Sequence, residues 1–206
     1  LRRCYTFNCC LLISINKHMA ITAQEKDYLQ NSKTSHPTGL HYMRRNPHPK
    51  KEDHGDCGVR AITLATGMDY SRVKFYADRW LQETDDSYAP CWGYRTRYKT
   101  AYGGMTRGDM TSILHAIGQS YNTALRRWSC HIHKTVFHRN NLPSLCIVEQ
   151  AQHFVAVNHG AIWDSWDCRG KTKKLKKVEC IWCPDNAWHE FMDKHNGDLR
   201  ASGVVQ

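Results

Sequence analysis

The hydrophobic period of this chain changes once, near residue 121, and that change limits what it can fold into. From residue 56 the apolar side chains recur at helical spacing, in the pairs Gly58/Val59, Ala61/Ile62 and Leu64/Ala65. Asp56 is the expected N-cap of this helix and Gly67 its expected stop. A second helix is predicted over residues 70–81, with Val73, Tyr76, Ala77 and Trp80 on one stripe. A third is predicted over 106–117, where Met110, Ile113, Leu114 and Ile117 recur and Gly118 ends the run. Beyond Tyr121 the period becomes two, which predicts strands over 124–130, 144–149, 153–157, 161–166 and 178–182. Helices first and strands later specify an α+β domain with an antiparallel sheet.

The length of 206 residues and an apolar share of 41% suit one ordinary core. The main domain is expected over residues 36–195, with an N-terminal extension over 1–35 and a frayed tail over 196–206. Residues 19–35 suit a short polar helix, and 43–55, with Pro47 and Pro49, read as an extended approach loop. Residues 1–18 lack a small-x-small cleavage pattern after their modest apolar stretch and read as a non-native or upstream segment ahead of Met19. No run approaches eighteen apolar residues, so no membrane partner is expected. Three of the ten cysteines fall in residues 1–18, leaving an odd number at irregular spacing. That pattern favours reduced thiols and a cytoplasmic location. The net charge of +10 keeps nucleic acid open as a partner.

Two segments carry chemistry. Cys57 is placed at the first turn of its helix, where unpaired backbone N–H groups and the helix dipole favour a thiolate. Gly55 and Gly58 flank it and allow another chain to come close. The second segment runs from His153 to Asp164, two apolar strands around Asn158-His159-Gly160. With Asn158-His159 as a two-residue turn, His153 lies directly opposite Asp164 on one face. A carboxylate there fixes the imidazole tautomer and supports its protonated form.

The order of these residues resembles papain-like cysteine peptidases, especially the small C39-like proteins of bacteriophages and some bacteria. The resemblance is carried by Asp56-Cys57-Gly58-Val59-Arg60-Ala61-Ile62, by His153-Phe154-Val155-Ala156-Val157 followed by Gly160, and by Asp164-Ser165-Trp166-Asp167. A weaker match ends the third helix, at Ile113-Leu114-His115-Ala116-Ile117-Gly118. It spans roughly residues 39–183. It implies a papain-like fold with Cys57 as nucleophile, His153 as general base and Asp164 as the group that orients the ring. A protein or peptide amide, or an isopeptide, is the implied substrate, and no cofactor or metal is called for. Papain-like enzymes usually place a Gln shortly before the nucleophile as an oxyanion donor. Residues 50–56 contain none, and the Cys57 N–H with His54 or Lys51 would have to serve.

Other features compete with this reading. Cys180-Ile181-Trp182-Cys183 is a CxxC, and Cys168 with Cys130-His131-Ile132-His133 adds soft ligands. Strand alternation, however, puts Cys180 with Trp182 on one face and Cys183 on the other. Arg107-Gly108-Asp109 falls at a helix start, where Asp109 serves the first turn. A loop over residues 83–104 mixes Tyr, Trp and Arg, and Lys171 to Lys177 form a basic run. These support an alternative function, a nucleic-acid- or protein-binding module without turnover.

Overall fold

A computed structural model describes residues 21–51, 55–83, 101, 104–120, 123–151, 153–170 and 175–195. Five helices and six strands follow in the order α1 (Ala23–Asn31), β1 (His41–Arg44), α2 (Cys57–Thr66), α3 (Tyr70–Glu83), α4 (Arg107–Ser120), β2 (Trp128–Val136), β3 (Leu145–Gln150), β4 (His153–Asn158), β5 (Ala161–Asp164), β6 (Lys177–Pro184) and α5 (Asp185–Lys194). The strands form one sheet in the order β1-β5-β4-β3-β6-β2. The fold is α+β, but the sheet is mixed and not wholly antiparallel, because β1 runs parallel to β5. β1 is four residues long and follows a turn-rich stretch, so the sequence offered too little alternation to mark it.

Helices α2 and α4 cover one sheet face, and α3 packs against both of them. Val59, Ile62, Val73, Met110, Ile113 and Ile117 meet Ile147, Phe154, Ala156, Trp163 and Trp182 there. The opposite face buries Leu40, Phe137, Val148, Val155, Val157, Ile162 and Ile181, with Trp188 of α5 against it. β3 and β4 are therefore covered on both faces, as their near-continuous apolar runs require. α1, within the stretch expected as an N-terminal extension, is docked: Leu29 is buried in the helical core. Its start is a capping box in which Thr22 Oγ1 accepts from the Glu25 N–H at 3.0 Å and Glu25 accepts from the Thr22 N–H at 3.0 Å.

Several local expectations change. Gly67 ends α2 in the left-handed region, with φ 72°. Gly118 does not end α4, which continues to Ser120. A Cβ at Gly118 would lie 2.8 Å from the Arg126 nitrogen, so this glycine admits the 3₁₀ segment Thr123–Arg127 against the helix. That segment replaces the first part of the strand expected over 124–130, and β2 continues to Val136 instead. α4 starts as expected, with Asp109 Oδ2 accepting from the Thr106 N–H at 2.8 Å. Cys180 and Cys183 lie in opposite core clusters and cannot share one ion. Residues 1–18, 196–206, most of the Tyr/Arg loop and Lys171 to Lys174 lie outside the described residues.

Candidate active site

Cys57 is the first residue of α2, which packs chiefly across β4. Its own N–H belongs to the first turn, where no intrahelical acceptor exists. Asp56 precedes it at the cap position but makes no side-chain cap bond. Instead its carboxylate is fully buried, accepts from the Tyr70 hydroxyl and pairs with Arg60 at 3.3 Å. The expected cap is thus a tether from α2 to α3. The close neighbour of Gly58 is the Met105 side chain of the same protein, with which a Cβ at this position would collide.

His153 opens β4 and Asp164 closes β5. The hairpin turn is His159-Gly160, both at positive φ (45° and 85°), as a type I′ turn requires. Asn158 therefore stays in the strand and faces Ala161, while Ala156 faces Trp163. Compared with the expected turn, the register moves so that Asp164 comes opposite Val155 and His153 becomes its diagonal neighbour. The shift is an even number of residues, so both side chains keep one face. The pair survives: the His153 Nε2–H donates to Asp164 Oδ2 at 2.6 Å.

Asp164 is held from several sides. Its Oδ1 accepts from the Ser165 N–H at 2.7 Å, and its carbonyl accepts from the Arg45 N–H at 2.8 Å. Its carboxylate is buried beside the ring, and the exposed Trp166 ring lies with its centroid 5.0 Å from that of the imidazole. On the imidazole itself burial works against positive charge. The Asp164 hydrogen bond, then contacts with the Cys168 and Cys57 thiols, and then the Asp164 charge outweigh that penalty and push His153 up to about 11. Because Nε2 is engaged by Asp164, Nδ1 is the nitrogen left for a thiol. Cys57 is half-buried, and its thiol is near enough to favour the charged ring.

The three predicted residues therefore converge although 107 positions separate Cys57 from Asp164. A fourth was not singled out for this site. Cys168 is fully buried in the loop after β5, and its sulfur, an imidazole nitrogen of His153 and a carboxylate oxygen of Asp164 all lie within 4.8 Å of one another. In the sequence it stands only as one of several scattered soft ligands, four positions after Asp164. Burial raises its thiol, while the His153 bond lowers it. Of the suggested oxyanion donors, Lys51 is turned away: its Nζ donates to the Asn46 carbonyl at 2.8 Å. His54 lies outside the described residues.

Comparison of the chain with protein-family models, with curated proteins and with solved structures returned no match. What the geometry defines is a buried carboxylate bound to an imidazole, beside a half-buried thiol at a helix start. No helix among the described residues is long and apolar enough to cross a membrane.

Proposed function

We propose that this protein is a papain-like cysteine peptidase or amidohydrolase that cleaves an amide or isopeptide bond through a thioester. The observation that carries this reading is the His153–Asp164 bond of 2.6 Å with Cys57 at the same ring. The ring, protonated at rest, is placed to stabilise negative charge on the Cys57 sulfur at the helix start as it attacks. The sulfur attacks the substrate carbonyl, and the Cys57 N–H stabilises the oxyanion. His153 gives its proton to the leaving amine. Acylation removes the negative charge beside the ring, so His153 then accepts a proton from water as that water hydrolyses the thioester. Asp164 holds the tautomer throughout. The binding-module alternative rests largely on residues outside the described part, and no geometry at the site favours it.

Iodoacetamide is expected to alkylate Cys57 stoichiometrically at mildly acidic pH, with the adduct mapped by mass spectrometry. A Cys57 that reacts only near the ordinary thiol value of about 8.5 would sink the reading. Cys57→Ala should abolish turnover of a peptide library while leaving the melting temperature close to that of the parent.

A further inference from the structure

We propose that Cys168, His153 and Asp164 form a binding site for a soft divalent cation, zinc foremost, whose occupation silences Cys57. Three thiols, Cys146, Cys168 and Cys183, are fully buried in the same core cluster. Cys146 is turned to a backbone carbonyl, that of Pro143, at 3.7 Å. Cys168 faces an imidazole and a carboxylate, and the chemistry proposed above uses neither its sulfur nor its proton.

Sulfur, nitrogen and oxygen donors in one place are the ligand types zinc selects, and three protein ligands with one open position is a common zinc arrangement. The metal–ligand lengths of a tetrahedral centre set edges of about 3.3 Å between oxygen and nitrogen and about 3.6 Å between sulfur and nitrogen. Here the His153–Asp164 contact is 2.6 Å and no pair among the three atoms exceeds 4.8 Å. Adjustments near 1 Å would complete the site. Binding releases the thiol proton of Cys168 and the proton shared by His153 and Asp164, leaving a neutral centre of cation, thiolate, carboxylate and imidazole. The ring is then unable to protonate a leaving group or stabilise the Cys57 thiolate. Only this last consequence rests on the peptidase reading; metal binding does not.

The full-length reduced protein should be titrated anaerobically with Co²⁺, whose thiolate charge-transfer band in the near ultraviolet reports sulfur ligation. One equivalent is expected to raise the band, and Zn²⁺ to remove it by displacement. Cys168→Ser should abolish it, while Cys57→Ser and Cys130→Ser should keep it. Absence of the band, its survival in Cys168→Ser, or its loss in Cys57→Ser would each overturn the site. The Cys57→Ser arm holds even should Cys168→Ser fail to fold. Zinc should also slow alkylation of Cys57 at least tenfold in the parent; alkylation at an unchanged rate would overturn the silencing. A Cys57 that is unreactive without metal would remove the peptidase reading, and the cobalt band would still decide the metal site.

Discussion

Two histidine clusters lie on the same sheet and are driven in opposite directions. At the β4–β5 end, His153 is flanked by a buried carboxylate and pushed up to about 11. Beneath α5, His131 and His133 of β2 are held below their ordinary value, in both cases chiefly by burial. His131 stacks on Trp188 with ring centroids 3.7 Å apart, and His133 meets Trp188 and Phe191 edge-on. Burial opposes the charged ring in all three cases, so partial burial does not separate the clusters. The partner does. Asp164 accepts the His153 N–H with a full charge, whereas His133 Nε2–H donates to a neutral carbonyl, that of Asn141, at 2.9 Å. Its Nδ1 is buried without a partner, and a second proton there would be stranded.

Removing the carboxylate should have the largest effect. In Asp164→Ala, burial acts on His153 unopposed by its main partner, so the ring should lose its proton near neutrality. Turnover is expected to fall by at least about 10²-fold through loss of ring orientation alone. Cys57 alkylation at mildly acidic pH should fall with it. Asp164→Asn sharpens the test, since its amide oxygen can still accept the ring N–H without the charge; it should recover orientation but not the raised imidazole. Stability follows the same logic. A histidine raised in the fold contributes fully below about 6.5, its unfolded value, and that contribution fades as pH rises through about 11. Urea midpoints measured from pH 6 to 10 should decline in the parent and flatten in Asp164→Ala.

The comparison also separates what could be read in the sequence from what could not. Cys57, His153 and Asp164 were legible because helix-start and hairpin rules are local. The residues place the hairpin turn at Asn158-His159 or Asn158-His159-Gly160 and the structure uses His159-Gly160, yet strand parity keeps His153 and Asp164 on one face. The neighbouring cluster was legible only as scattered soft ligands. Its partner helix, residues 185–194, received no assignment, and the polar residues at 131–135 hid the rest of β2. Cys168 was legible as a soft ligand but not as a neighbour of His153: a loop residue has no period, and only tertiary contact brings its sulfur to the ring.

Trp188→Ala tests the second cluster from the aromatic side. It removes the stacked ring from His131 and opens a path to His133, so both histidines should move back toward their ordinary value. Trp188 is half-buried, and the loss should be about 2–3 kcal/mol, below the range for a fully buried tryptophan. Urea denaturation at neutral pH measures the loss, and imidazole NMR titration measures the shift. An unchanged titration would show that Trp188 does not keep these rings dry.

The smallest effect is the acid limb of stability, where the sign is opposite to that of His153. A histidine lowered in the fold binds fewer protons there than in the unfolded chain. Stability is therefore lost as pH falls below about 6.5, until the folded ring itself takes a proton. The groups facing these rings pull in different directions. Asp185 favours the charged form of His131, whereas His133 and His189 oppose it, and His195 opposes the charge on His133. His133→Phe should fill a similar volume without the stranded nitrogen and flatten the decline between about pH 6.5 and 5. His131→Phe, whose ring is nearer Asp185, should flatten it less. Parallel declines in parent and variants would show that carboxylates, and not this pair, set the acid limb. The contrast between the clusters would then rest on His153 alone.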